Sequence, residues 1–117
     1  MTKHDPDLNR LFHALGDDTR RAMLERLIQG PAPVSELAAP TGLALPTVLR
    51  HLGVLEDAGL IVTAKTGRTR ICHATPDRLA PATDWLARQR AVWAGRLDRL
   101  DALLASLPKE PPDDPRS

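Results

Sequence analysis

The sequence has one cysteine, three aromatic residues and no long apolar run. The single Cys72 cannot form an internal disulfide, so a disulfide scaffold is excluded. No stretch approaches the roughly 18 consecutive apolar residues of a membrane span, so we expect no membrane partner. Polar and charged residues follow Met1 without the apolar core of a secretory leader. Together with the lone cysteine, this predicts a reducing, cytoplasmic location.

Charge of neither sign dominates, because 16 basic residues face 15 acidic ones and the net charge is +1. Total charge therefore does not indicate a nucleic-acid partner. The distribution is more informative, since Lys65, Arg68 and Arg70 lie in a stretch, 60–75, that contains no acidic residue. The scarcity of aromatic residues argues against a surface that stacks single-stranded bases.

Apolar spacing predicts one mainly helical domain over residues 8–107. We expect a flexible N-terminus over 1–7 and a disordered, proline-rich acidic tail over 108–117. One-sided apolar patterns bounded by capping and breaking residues predict four helices before residue 60. They begin at Leu8, after a cap at Asp17 or Asp18, at a cap on Ser35, and near Ala44.

The second half of the chain predicts a hairpin and one long helix. Residues 60–64 and 69–74 are interpreted as two strands around a basic tip that contains Gly67. The helix over 81–107 carries apolar residues at alternating spacings of four and three, namely Trp93, Leu97, Leu100, Leu104 and Leu107. That heptad pattern is typical of a helix packed along a partner helix, and it predicts a homodimer.

Two helices joined by a Pro-Thr-Gly-Leu turn and followed by a basic hairpin are typical of a winged helix-turn-helix. Three segments in this order resemble the ArsR/SmtB-type bacterial transcriptional regulators, namely LFHALGDDTRR (11–21), VSELA (34–38) and LPTVLRHLGVLEDAGLIV (45–62). The resemblance spans about residues 8–105, and 85–100 look like the branch found beside genes for START-like lipid-pocket domains.

The resemblance implies a mainly α fold with a small β-hairpin wing that dimerises through its first and last helices. Leu11 would then join Trp93, Leu97, Leu100 and Leu104 at the dimer interface. It also implies a repressor that binds a pseudo-palindromic operator in double-stranded DNA and controls its own or an adjacent operon.

The expected roles of the polar residues also follow from the geometry of DNA. A recognition helix in the major groove presents its first two turns to base edges, so Thr47, Arg50 and His51 are candidates, with Arg50 suited to guanine. For His51, a partly packed histidine on the helix surface is an equally good interpretation. Lys65, Arg68 and Arg70 on the wing would contact phosphates and make binding salt-dependent. The wing and recognition helix together predict sequence-specific DNA binding.

The recognition helix departs from the family pattern at four positions: Ala44, Leu45, Leu49 and Gly53. Leu45 and Leu49 lie one turn apart on the outward face. They either contact thymine methyl groups or form a surface for a protein partner. DNA contact is favoured because the wing keeps its basic residues.

No arrangement of residues indicates catalysis, a cofactor or a metal site. The histidines and Cys72 are scattered over unrelated elements, whereas zinc needs three or four converging ligands. Two alternatives stay open: a winged-helix dimer acting as a protein-interaction module, and a metal- or thiol-responsive repressor. None of these patterns specifies a small-molecule inducer.

Overall fold

The computed structural model describes residues 5–108, which contain five α-helices and three strands. The helices are α1 (Pro6–Leu15), α2 (Asp18–Gln29), α3 (Val34–Ala38), α4 (Leu45–Asp57) and α5 (Ala80–Ser106). The strands are β1 (Ala32–Pro33), β2 (Ile61–Thr66) and β3 (Thr69–Ala74). Short 3₁₀ turns cover Ala39–Thr41 and Pro76–Leu79. Contacts divide the chain into two units between Asp84 and Trp85.

The ends of the chain were expected to be flexible over 1–7 and disordered over 108–117. Residues 1–4 and 109–117 lie outside the described residues. Pro6 and Asp7 are helical, so α1 begins before the expected Leu8. The carboxylate of Asp5 explains this start, because it accepts hydrogen bonds from two backbone amides of the first turn at 3.1 and 3.2 Å.

The second and third helices begin differently. Asp17 accepts a hydrogen bond from the backbone amide of Arg20 at 3.0 Å, so Asp17 rather than Asp18 caps α2. The expected cap at Ser35 is wrong, because α3 already begins at Val34 and no side chain caps it.

A third strand was not predicted. Ala32 pairs with Cys72 and Pro33 with Ile71, so β1 forms an edge of an antiparallel sheet in the order β1-β3-β2. Two residues are too short to show an alternating pattern, and proline is tolerated only at such an edge. The strand ties the loop before α3 to the wing.

The wing is a hairpin with a two-residue turn. β2 and β3 pair from Ile61 opposite Ala74 to Thr66 opposite Thr69, which leaves Gly67 and Arg68 as the turn. Gly67 has a φ of 64°, the positive φ that a type II′ turn needs at its first central position. This turn places Arg68 at the tip of the hairpin.

The core of residues 5–84 fixes the orientation of α4. Its largest fully buried side chains are Leu11, Leu55, Leu60, Ile61, Val48 and Cys72. On α4, Val48, Leu52 and Leu55 recur at helical spacing and are all buried. The remaining side of α4 therefore faces solvent, and this side carries the exposed candidates Leu45, Leu49 and Arg50.

Residues 85–107 contain no buried leucine, valine or tryptophan. Trp93, Leu97, Leu100 and Leu104 are 62%, 54%, 49% and 57% exposed. No helix among residues 5–108 is long and apolar enough to cross a membrane.

Candidate nucleic-acid interface

The turn before α4 is held by Thr41. Its hydroxyl donates to the carbonyl of Ala38 at 2.7 Å and accepts from the backbone amide of Leu43 at 3.1 Å. Gly42 between them has a φ of 65°, which favours glycine at this position. α4 then begins after Ala44, which supplies no capping hydrogen bond.

The outer side of α4 carries apolar and polar residues together. Leu45 and Leu49 are 54% and 45% exposed. Arg50 is exposed, and its side chain makes no hydrogen bond or ion pair within residues 5–108. Thr47 is half-buried. Arg50 is therefore available to contact a base edge.

His51 points toward the junction of α1 and α2. Its side chain is 14% exposed, and its Nδ1 lies 3.2 Å from Nη1 of Arg20 and 3.8 Å from the Asp17 carboxylate. Arginine can only donate, so the Nδ1 of His51 is the acceptor in this contact. A base contact by His51 stays a prediction, whereas the geometry gives it a role in anchoring α4.

Arg20 connects His51 on α4 to the end of α1. Its Nε and Nη2 donate to the carbonyls of Ala14 and His13, both at 2.9 Å, while Nη1 reaches His51. One guanidinium group thus joins the C-terminal end of α1 to the recognition helix. The hydrogen bond from the Arg20 amide lowers the pKa of Asp17, and the charge of the Arg20 guanidinium acts in the same direction.

The basic residues of the wing differ in their contacts. Arg70 donates to the hydroxyl of Thr63 at 3.2 Å, and that hydroxyl donates to Glu56 at 3.2 Å. The side chains of Lys65 and Arg68 are exposed and make no hydrogen bond or ion pair in the described part of the chain. Lys65 and Arg68 are thus free to bind an anion, whereas Arg70, which pairs with Lys65 near the turn, also donates a hydrogen bond to Thr63.

One groove joins the recognition helix to the wing. It has a volume of about 360 Å³ and is lined by Pro33, Val34, Ser35, Leu45, Leu49, Arg68, Thr69 and Arg70. Of the predicted DNA-contacting residues, Leu45, Leu49, Arg68 and Arg70 meet here. Thr47, Arg50, His51 and Lys65 do not line it. The groove therefore combines an apolar wall with two cations.

A larger groove of about 540 Å³ lies between α2 and α3. Its only cationic side chain, Arg26, is already paired with Glu36 at 2.8 Å, and Asp18 adds a further carboxylate. This surface is less suited to a phosphate than the groove at the wing. Size alone does not identify the nucleic-acid site.

Two further predictions concern single residues. Leu11, expected at a dimer interface, is 2% exposed and fills the core of its own chain, so that assignment is corrected. Phe12, beside it on α1, is 38% exposed.

Cys72 is fully buried, and this burial raises the pKa of its thiol. Within residues 5–108, no three His, Cys, Asp or Glu side chains lie together as metal ligands.

A short helix and a second helix joined by a tight turn, followed by a hairpin that shares a groove with the second helix, define a winged helix-turn-helix protein. A helix-turn-helix domain family matches residues 15–64. The HTH-type transcriptional regulator Rv2034 of Mycobacterium tuberculosis is 42% identical over 79 residues, which are 68% of this chain and 72% of that protein.

A solved ArsR family transcriptional regulator has 46% sequence identity and a TM-score of 0.75, and the match covers 80% of this chain and 97% of that one. The transcriptional repressor SdpR of Bacillus subtilis is 25% identical over 68% of this chain and 88% of its own length. The chain belongs to the ArsR family of transcriptional regulators.

Proposed function

We propose that this protein is a dimeric, sequence-specific DNA-binding repressor of its own or an adjacent operon. The groove between α4 and the wing is the observation that carries this proposal, because it joins outward residues of a recognition helix to positive charge on the wing. Family membership and the similarity to a named repressor support the regulatory role. A repressor that acts on operator DNA would work in the cytoplasm.

The two parts of the interface have different tasks. Arg50 on α4 would read guanine through its two parallel donors, and Thr47 would contact a neighbouring base. Lys65, Arg68 and Arg70 would neutralise phosphates, which adds affinity without sequence preference. His51 would act mainly through the position of α4, because its Nδ1 is engaged by Arg20.

The exposed stripe on α5 is the proposed surface for dimerisation. Trp93, Leu97, Leu100 and Leu104 would pack against a second copy of the chain, which would remove their apolar area from water. Two-fold symmetry would present two recognition helices to half-sites about 34 Å apart on one side of the duplex. Occupancy of a pseudo-palindromic operator would then block polymerase.

The test is binding to a duplex from the protein's own upstream region at two salt concentrations. For wild type we expect affinity that falls with salt and exceeds that for random DNA. The double variant Arg68→Ala/Arg70→Ala loses two phosphate contacts per protomer, so the slope of log affinity against log salt should become shallower by about 2 for each protomer.

The matched control is Arg10→Ala/Arg78→Ala, which removes the same charge from exposed residues that do not line the groove. This control should keep the wild-type slope. If the slope became equally shallow in both double variants, the salt dependence would reflect net charge alone. The absence of any preference over random DNA would contradict the proposed function.

A further inference from the structure

Leu45 and Leu49 form an exposed apolar wall beside two arginines. Both lie on the solvent-facing side of α4 and are 54% and 45% exposed, so the core of the chain does not account for them. They line the same groove of about 360 Å³ as Arg68 and Arg70. A ligand that complements both the leucines and the arginines would present apolar and anionic groups side by side.

A DNA strand has this combination of groups at thymine. Its phosphates are anionic, and the C5 methyl of thymine is the apolar group that a base displays in the major groove. That methyl lies on the side of the base closest to the phosphates of its own strand. A strand between α4 and the wing would thus offer phosphates to the arginines and methyl groups to the leucines.

We infer that Leu45 and Leu49 select thymine on the strand that lies between the recognition helix and the wing. This inference rests on the proposed DNA-binding function and adds its sequence preference. The two leucines are one helical turn apart, about 6 Å along the helix axis. Because bases on one strand are spaced by about 3.4 Å, the selected thymines are adjacent or separated by one base in each half-site.

The preference has an attractive and a repulsive part. Packing against leucine removes the methyl from water, which corresponds to about fourfold in affinity for each methyl. A purine at the same position would place its N7 acceptor against a side chain that cannot hydrogen-bond, and an unpaired polar group is costly, whereas cytosine has only a hydrogen at C5 and loses the methyl contact. Uracil differs from thymine only by the methyl, so it isolates the attractive part.

The experiment begins with selection of the tightest duplex from a random library of about 30 base pairs. Each thymine of the selected half-site is then replaced by deoxyuridine, one at a time. For wild type we expect about fourfold weaker binding at two thymines and no change elsewhere. Leu45→Ala should abolish the response at one of these positions, and Leu49→Ala the response at the other.

The matched control is Ile28→Ala, which shortens an aliphatic side chain on α2 that is 52% exposed and does not line the groove. This variant should keep both responses to deoxyuridine. Thermal melting of all three variants checks that they fold, and small changes are expected because the truncated side chains are exposed.

The possible outcomes separate the inference from the function. A selected sequence without closely spaced thymines, or one whose binding ignores deoxyuridine, would overturn the inference while DNA binding stands. The inference would also be overturned if Leu45→Ala and Leu49→Ala kept the wild-type pattern of responses. Failure to select any sequence over random DNA would overturn both the proposed function and the inference, and the leucines would then point to a protein partner.

Discussion

The burial of leucines and the pairing of charged side chains differ between residues 5–84, the first unit, and residues 85–108, the second. In the first unit, leucines from α1, α2, α3 and α4 are buried together, and all three ion pairs of the described residues are found there. In the second unit, every leucine is exposed. Although Arg96, Arg99, Asp98 and Asp101 follow one another closely on α5, the described part of this unit has no ion pair.

The difference shows which unit buries its own apolar side chains. A leucine stripe that stays in water gains no hydrophobic stabilisation, whereas the buried leucines of the first unit each contribute on the order of 2 kcal/mol. Residues 5–84 thus have a hydrophobic core of their own, whereas the exposed leucine stripe of residues 85–107 is the proposed surface for dimerisation. Substitutions in the two units should therefore affect different measurements.

The largest effect is expected for Leu55→Ala in the core. Leu55 is 0% exposed, so its truncation leaves a cavity and should lower the free energy of unfolding by about 2–5 kcal/mol. Leu97→Ala serves as the control. At protein concentrations below the dimer dissociation constant, this variant should lower the free energy of unfolding by less than about 0.5 kcal/mol. Urea denaturation measures both. Equal losses would mean that Leu97 belongs to a core and would remove the contrast between the units.

The next effect concerns assembly. Leu97→Glu places a charge in the proposed dimer interface, where burial without a partner is costly, so the dimer dissociation constant should rise at least about 100-fold. Sedimentation equilibrium measures this constant. Ala102→Glu introduces the same charge on the side of α5 away from the stripe and should leave it nearly unchanged. If both variants dissociate alike, the stripe is not the dimer interface.

The elements with clear apolar spacing could be predicted from the sequence. The starts of α2, α4 and α5 lie within a residue or two of the predicted positions, and β3 is found over the predicted range. The edge strand β1 escaped prediction because Ala32 and Pro33 are too few to show a period. The cap predicted at Ser35 rested on residue type alone, but the turn of the chain at Pro33 sets the start of α3.

At the candidate site, the sequence predicted the wing arginines and the outward leucines but not how they meet. Their shared groove depends on tertiary packing between α4 and the wing. The inward position of His51 had a sequence signal, because it lies three residues after Val48 and four before Leu55, both buried. Its partner Arg20 lies 31 positions earlier, and no local pattern links them.

The smallest expected effect is on the pH dependence of stability, and it concerns the charge of Asp17 in the first unit. The folded-state pKa of Asp17 lies below its ordinary 3.8, chiefly because the Arg20 amide donates to the carboxylate. A lowered pKa stabilises the folded state above the unfolded-state value, and this stabilisation is lost as the pH falls through the folded-state pKa. Asp17→Asn keeps a capping oxygen but removes the charge, so it should be less stable than wild type at neutral pH.

That difference in stability should shrink as the pH falls below about 4, since wild-type Asp17 then becomes neutral as well. Urea denaturation across this pH range measures it. Asp98→Asn is the control, because Asp98 makes no ion pair within residues 5–108. We expect this control to follow the wild-type curve at every pH. A gap between wild type and Asp17→Asn that stayed constant down to the lowest pH would show that the charge of Asp17 does not stabilise α2.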